Sequence, residues 1–222
     1  MNYKTINNKG QAKIFENLFL ERLTKTRPWI IYAMYIPLVF LLIFYGYFKW
    51  RYPVGTILVL FLTAMLSWTL VEYLTHRFLF HFEAKTAIGK RLVYIFHENH
   101  HEYPRDRSRL FMPPVPSILI AGVYLLFFSL ISVCLSGEPG YGMVFFSGFI
   151  SGYLIYVSMH FAIHAYAPPK YLKALWRHHH LHHYKYPDKA FGVSSAFWDV
   201  LFHTSPSKEQ FNYQTHKKEE IS

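Results

Sequence analysis

Cysteine, acidic residues and charge in general are scarce in this chain of 222 residues. The single cysteine, Cys134, excludes an intramolecular disulfide, and a metal site built from several thiolates is excluded with it. Asp and Glu together number 13, against 23 Lys and Arg, and charged residues are 16% of the chain, compared with about 25% in soluble domains. Any metal site must therefore depend on nitrogen or oxygen ligands, and the low charge is unlike that of a soluble domain.

Four long runs contain no charged residue at all. They extend from Pro28 to Phe48, Val54 to Val71, Ser117 to Leu135 and Tyr141 to Ser158. As a helix, the first run is about 31 Å long, which is enough to cross a bilayer. A soluble protein would have to bury four such helices completely in one small domain. The sequence therefore predicts an all-α integral membrane protein with four transmembrane helices.

The basic residues are distributed unevenly between the loops. Four crossings place 21 Lys and Arg on the side of the two chain ends and only two, Lys49 and Arg51, on the other side. Such a bias places the more basic side in the cytoplasm. It also accounts for the net charge of +10 without nucleic acid, which we do not expect as a partner. We expect a cytoplasmic cap that carries all the histidine motifs described below.

Three parts of the chain differ in composition. Residues 1–27 are a basic segment with a weakly amphipathic pattern, which predicts a helix on the membrane surface. Residues 28–206 contain the four spans and the histidine motifs, and we expect them to form one domain. Residues 207–222 are a polar C-terminal tail, and we expect no order in its last part, Asn212 to Ser222.

Histidine is the abundant residue type, and ten of the 14 histidines fall into four short motifs. The motifs are HxxxxH (His76, His81), HxxHH (His97, His100, His101), HxxxH (His160, His164) and HxxHH again (His179, His182, His183). Imidazole is a common metal ligand in proteins. Ten imidazoles are too many for one ion, so the motifs predict two metal ions with several nitrogen ligands each.

Helical spacing predicts which histidines share a metal. His179, His182 and His183 lie at i, i+3 and i+4, so on a helix they occupy one face and can converge on one point. His160 and His164 are similarly placed for a single metal. His76 and His81 are five residues apart, roughly 140° around an α-helix, so they would bind different metals unless the helix bulges.

The other histidines and several carboxylates have weaker signals. His178 and His180 fall off the preferred face and are interpreted as outer or solvent-facing groups, and His203 and His216 are not expected to bind metal. Acidic residues near the motifs are candidates to orient ligating rings by accepting their second N–H. These are Glu72, Glu98, Glu102, Asp106 and Asp199.

The order of the four motifs on a four-span chain resembles the fatty acid hydroxylase and sterol desaturase superfamily of membrane di-iron oxygenases. Three longer segments resemble its fatty acid (sphingolipid) 2-hydroxylase branch. They are EYLTHRFLFH from Glu72 to His81, HHEYPRDRSRLFMPP from His100 to Pro114, and FGVSSAFWDVLFHT from Phe191 to Thr204. Together the matching residues extend over roughly 65–206.

The resemblance implies ligands, cofactors and a reaction. The ten motif histidines would bind two iron ions, although zinc can occupy such sites in purified protein because affinity alone favours it over ferrous iron. Dioxygen would be the co-substrate, and a lipid acyl chain would be hydroxylated at carbon 2. Many relatives carry a fused haem domain of the cytochrome b type. This chain has none before its first span, so we expect an external electron donor, of the cytochrome b type or ferredoxin-like.

Two other functions are compatible with the motifs. A sterol or carotenoid oxidase or desaturase of the same superfamily would use the same metals with a different cavity. A zinc-dependent membrane protein, either a hydrolase or a transporter, belongs to another class. Zinc hydrolases commonly use fewer ligands and a carboxylate base, and a transporter would need polar groups deep in its spans, so both fit the sequence less well.

Overall fold

The computed structural model describes residues 6–211, which form helices and, within that range, no β-strand. In chain order the helices are α1 (Leu18–Leu23), α2 (Pro28–Phe48), α3 (Val54–Leu74), α4 (Ala87–Val93), α5 (Asn99–Glu102), α6 (Pro114–Ser136), α7 (Gly140–Ala165), α8 (Lys173–Tyr184) and α9 (Phe197–Leu201). Two π-helical segments accompany them, Thr75–Phe80 after α3 and Tyr94–Glu98 between α4 and α5. The all-α prediction is confirmed. The residues from Asn212 onward, with His216, lie outside the described range.

Four of the helices are long and apolar enough to cross a membrane, as predicted. α2 has the predicted bounds, whereas the other three are longer than their uncharged runs. α3 continues through the first π-helical segment as one helix of 27 residues, Val54–Phe80. α7 continues to Ala165, so it contains the HxxxH motif. The protein is therefore an integral membrane protein in which two spanning helices extend into histidine motifs.

Proline and glycine set the ends of the spanning helices. Pro28 and Pro114 each occupy the first helical position, where the missing N–H would have no intrahelical partner. Gly137 ends α6 with φ of 81°, a conformation that glycine adopts without steric cost. In the described part of the predicted amphipathic segment, residues 6–27, the structure has the short helix α1, in which Leu18 and Phe19 are exposed.

The described residues fall into two compact units. The membrane unit comprises residues 13–71 and 108–158, and the histidine unit comprises residues 6–12, 72–107 and 159–211. The histidine unit thus contains all ten motif histidines.

Close packing in the membrane unit depends on glycines of α7. A Cβ added to Gly148 would lie 2.1 Å from the carbonyl oxygen of Phe61 on α3, and one added to Gly142 would lie 2.1 Å from that of Phe128 on α6. Small residues allow helix backbones to approach closely in a membrane, where burial of apolar surface contributes little. α7 is accordingly the most enclosed span: 56% of the residues in an 18-residue apolar stretch of this helix are buried, against 6% in α6.

Interhelical hydrogen bonds between hydroxyls supplement this packing. Tyr35 on α2 bonds to Ser117 on α6 at 2.6 Å, and Tyr32 bonds to Ser158 on α7 at 2.7 Å. Within the hydrocarbon such groups need protein partners, because water is not available to them. The hydroxyl pairs therefore connect α2 to two other spans.

We predict that Gly148→Ala destabilises the protein by about 1–3 kcal/mol, the usual cost of overpacking, because the added methyl overlaps the α3 backbone. The thermal unfolding midpoint in detergent would fall. The control is Gly122→Ala on α6, where an added Cβ has no neighbour within 4 Å. An equal midpoint for the two variants would contradict this description of the helix contact.

Candidate metal centre

The ten motif histidines gather into two groups of five in the histidine unit. Within each group, one ring nitrogen of every member lies within 4.8 Å of those of the others. The first histidine group is His76, His81, His97, His101 and His182, and the second histidine group is His100, His160, His164, His179 and His183. The structure thus brings together every histidine predicted as a ligand, in two clusters suited to two ions.

A change of helix type places His76 and His81 in the same group. The π-helical segment Thr75–Phe80 is closed by a hydrogen bond from the His81 N–H to the His76 carbonyl, at 3.3 Å, which joins residues i and i+5. Residues five apart therefore point in similar directions. The assignment to different metals, which assumed an unbroken α-helix, is replaced by the bulged alternative.

The two HxxHH motifs each contribute to both groups. In α8, His182 belongs to the first histidine group, whereas His179 and His183 belong to the second. The expectation that these three converge on one point is therefore wrong, because the face they share is wide enough to lie against both clusters. His101 and His183 stack at a centroid distance of 4.1 Å, so the two groups adjoin.

Hydrogen bonds to backbone carbonyls define the proton positions in the first histidine group. Nδ1 of His76 donates to the Phe191 carbonyl, and Nδ1 of His182 donates to the Lys189 carbonyl at 2.7 Å. A carbonyl only accepts, so in a neutral ring the lone pair is left on Nε2. The Nε2 atom of His76 lies 3.0 Å from that of His97, and the Nε2 atom of His182 lies 3.0 Å from that of His81.

Burial keeps these imidazoles neutral. Loss of hydration lowers the pKa of His81 to about 4. For the groups outside the spanning helices, burial, reinforced by the neighbouring imidazoles, holds the pKa well below 6.5. This applies to His97, His100, His101, His179, His182 and His183. A neutral imidazole is the form that binds a metal ion.

The geometry of the two groups fits metal ions. Nitrogen ligands lie about 2.0–2.1 Å from an ion such as zinc, so ligands on opposite sides are about 4 Å apart, comparable to the spread in each group. In the second histidine group, His100 Nε2 and both ring nitrogens of His183 are buried without a hydrogen-bond partner among the described residues. A cation satisfies converging lone pairs that would otherwise repel one another or remain unpaired.

Two buried carboxylates hold the loop that supplies the two carbonyls. Asp199 accepts the N–H groups of Phe191 at 2.9 Å and Gly192 at 2.7 Å. Glu72 accepts those of Val193 at 2.7 Å and Ser194 at 2.8 Å. The prediction that these two acids accept an N–H from a ligating ring is therefore corrected, because their oxygens bond mainly to loop backbone.

Asp199 also accepts a hydrogen bond from His178 Nε2 at 3.0 Å, so His178 is a buried outer residue rather than a ligand. Burial alone would raise the pKa of Asp199, but the hydrogen bonds from His178, Thr204 and the Gly192 N–H lower it below its usual range. The carboxylate form is therefore the stable one.

The remaining candidates are not members of either histidine group. Glu98 and His203 are exposed, and Glu102 accepts a hydrogen bond from the Tyr94 hydroxyl at 3.1 Å. Asp106 is buried, and His180 is partly buried outside both groups.

The sequence did not predict that the backbone carbonyls of Lys189 and Phe191 bond to candidate ligand histidines. A backbone carbonyl has no side-chain signature, so sequence motifs for ligands do not reveal it. The one available signal was the FGVSS segment itself, which follows the last histidine motif closely.

The buried histidines predict an acid-sensitive fold. In the unfolded chain imidazoles take up protons below pH about 6.5, whereas His81 in the folded protein does so only near pH 4. We therefore expect the stability of metal-free protein to fall as pH decreases from 6.5 towards 4. Unfolding midpoints at pH 7, 6 and 5 measure this. His81→Asn should make the decline shallower by up to about 1.4 kcal/mol per pH unit, and a midpoint unchanged from pH 7 to 5 would refute the prediction.

Known proteins resemble this chain over most of its length. It is 31% identical over 219 residues to fatty acid 2-hydroxylase of Rattus norvegicus, covering 86% of this chain and 56% of that protein. It is 32% identical over 197 residues to dihydroceramide fatty acyl 2-hydroxylase FAH2 of Arabidopsis thaliana, covering 87% of this chain and 80% of that protein. The chain thus spans little more than half the length of the rat relative.

A solved structure has the same fold. The structure described as full-length Scs7p, in which only the hydroxylase domain is visible, superposes with a TM-score of 0.80 at 33% identity, covering 90% of this chain and 74% of that one. Residues 61–204 match the sequence profile of the fatty acid hydroxylase family, and this segment contains both histidine groups and the loop that supports them. On this match and these geometries, the chain belongs to the fatty acid hydroxylase family.

Proposed function

We propose that this protein hydroxylates a lipid acyl chain at carbon 2, either in a free fatty acid or in a ceramide-type lipid, with dioxygen as oxidant. The observation that carries the proposal is the pair of five-histidine groups, nine of whose ten members are buried, in a chain of the fatty acid hydroxylase family. The relatives named above are 2-hydroxylases of fatty acids and of dihydroceramide acyl chains, which supports carbon 2 as the position and disfavours a sterol or carotenoid.

The two histidine groups are proposed to hold two iron ions, with the ten motif histidines as ligands. When bound, iron would supply the activation of dioxygen that insertion of oxygen into a C–H bond requires. Zinc would bind the same nitrogen ligands, so a zinc-loaded preparation would be compatible with an iron enzyme. An all-histidine centre without a carboxylate ligand suits this use better than zinc hydrolysis, which commonly has a carboxylate base.

The protein's own residues provide a fixed and dry setting. Burial keeps the rings neutral, and the backbone carbonyls of Lys189 and Phe191 fix two of them as the tautomer with its lone pair towards the cluster. Exclusion of water also limits side reactions of a strong oxidant.

Two electrons per turnover are needed, because dioxygen provides one oxygen atom to the product and the other leaves as water. We propose that a separate donor of the cytochrome b or ferredoxin-like type supplies them, and that it acts from the cytoplasm. The support for the cytoplasmic side is the excess of Lys and Arg in the segments that flank the histidine motifs.

Expression in a host that lacks 2-hydroxylated lipids tests the reaction. Mass spectrometry should detect acyl chains heavier by one oxygen atom, with the hydroxyl at carbon 2. His179→Ala should abolish the product, because it removes a fully buried member of the second histidine group. The control His203→Ala changes an exposed histidine outside both groups and should retain activity. Oxidation of sterols or carotenoids with no acyl product would overturn the proposed substrate class.

Membrane-impermeant maleimide tests the orientation. In a Cys134→Ser background, a cysteine replacing exposed Lys49 between α2 and α3 should be labelled in intact cells. A cysteine replacing exposed Lys170 between α7 and α8 should react only after the cells are opened. The opposite pattern would place the histidine unit outside the cytoplasm.

A further inference from the structure

The loop of residues 189–194, here called the carbonyl loop, contacts the first histidine group through its backbone and through the Phe191 ring, whose centroid lies 5.6 Å from those of His81 and His182. Its carbonyls at Lys189 and Phe191 accept the Nδ1 hydrogens of His182 and His76. No side chain of the loop takes part in these two hydrogen bonds, so they depend on the position of its backbone.

The loop is held in a conformation that it would not adopt alone. Ala190 has φ of 60°, a left-handed conformation that is unfavourable for a residue with a Cβ. Gly192 admits no side chain, because an added Cβ would lie 2.0 Å from the Ser195 carbonyl oxygen. A backbone of this kind persists only where its surroundings impose it.

Asp199 and Glu72 impose it from two directions. Together they accept four consecutive backbone N–H groups, from residue 191 to residue 194, and the Ser194 hydroxyl bonds to Glu72 as well. Both carboxylates are buried, at 0% and 4% exposure. Hydrogen bonds to a buried carboxylate are stronger than those between neutral groups, so these contacts are well suited to fixing a backbone.

A further chain of hydrogen bonds supports Asp199. The Thr204 hydroxyl donates to Asp199 at 2.7 Å, the Tyr73 hydroxyl lies 3.0 Å from that of Thr204, and Arg77 donates to Tyr73 at 2.8 Å. Arg77 lies within the π-helical segment that aligns His76 and His81. Asp199 is thus linked to the first histidine group through the carbonyl loop and through this chain.

The carbonyl loop gives no hydrogen bond to two rings of the second histidine group. Nδ1 of His179 and Nδ1 of His183 are buried and have no hydrogen-bond partner among residues 6–211. The support from the carbonyl loop is therefore asymmetric: it reaches two members of the first group directly, whereas no hydrogen bond from the loop reaches these two rings.

We propose that Asp199 and Glu72 are positioning residues that set the metal affinity of the first histidine group selectively, acting through the backbone of the carbonyl loop. This inference rests on the two-metal centre proposed above. Loss of an outer hydrogen-bonding partner commonly weakens metal binding by about 10–100-fold. We expect that loss in the first group and none in the second.

Asp199→Asn tests the inference with Zn²⁺ as the probe. Asn presents an NH₂ group in place of one of the two carboxylate oxygens. That NH₂ group would face either the donors Gly192 N–H and His178 Nε2, or the donors Phe191 N–H and Thr204 hydroxyl, where the native residue has an acceptor. The protein is equilibrated with a series of chelator concentrations, and the Zn²⁺ that it retains is measured by elemental analysis. One of the two ions should be bound about 10–100-fold more weakly than in the wild-type protein. The control Asp188→Asn removes an equal charge from an exposed residue next to the loop and should leave both affinities unchanged.

Single-group backgrounds identify the affected ion. His164→Ala disables the second group, and in that background Asp199→Asn should weaken the remaining Zn²⁺. His81→Ala disables the first group, and there Asp199→Asn should have no effect. Equal weakening in both backgrounds indicates general destabilisation and overturns the inference, as does unchanged affinity in both.

Failure of the centre itself gives a different result, because wild-type protein would then bind fewer than two Zn²⁺ ions. Should Asp199→Asn not yield folded protein, Ser194→Ala carries the same test, since it removes only the hydroxyl hydrogen bond to Glu72. Selective weakening of the first group supports the inference, and unchanged affinity overturns it.

Discussion

The convergence of ten imidazoles, nine of them buried, is the constraint on which the histidine unit depends. Nitrogen lone pairs aimed at one another repel, and burial removes the water and the protons that would relieve that repulsion. Distances of 2.9–3.0 Å between Nε2 atoms occur in both groups, as between His97 and His101 and between His164 and His179. A metal ion resolves this conflict, so binding of the ions and stability of the unit are expected to be coupled.

Departures from regular helix geometry serve the same constraint. The π-helical segment after α3 shifts the direction of side chains so that His76 and His81 meet, and a second π-helical segment contains His97. Such π-helical segments are rare and are frequently found at functional sites. Here they bring ligands together beside the carbonyl loop. In that loop the strained residue Ala190 donates its N–H to the Thr204 carbonyl at 2.9 Å, and the next four N–H groups donate to buried carboxylates.

The two units divide the physical tasks. The membrane unit depends on close contact of backbones at glycines such as Gly148 and on paired hydroxyls such as those of Tyr35 and Ser117. The hydrophobic effect does not drive helices together in lipid, because lipid tails are as apolar as the side chains. The histidine unit depends instead on buried polar groups, each of which needs a partner or an ion. A family that oxidises lipids needs both, since the substrate is apolar and the proposed oxidant requires ligands of fixed geometry.

Composition and spacing alone were enough to predict the spans, the all-α class and which ten histidines gather in the two clusters. Long uncharged runs and repeated histidine motifs are local signals with few alternative explanations. Tertiary structure decided which histidine joins which group. His179, His182 and His183 share one helix face, yet they divide between two clusters, and His76 meets His81 only because the helix widens. The roles of Asp199 and Glu72 were also beyond sequence reasoning. Glu72 accepts an N–H group 121 residues further along the chain, and Asp199 accepts N–H groups seven and eight residues before it. Only the folded chain shows which N–H groups a carboxylate faces.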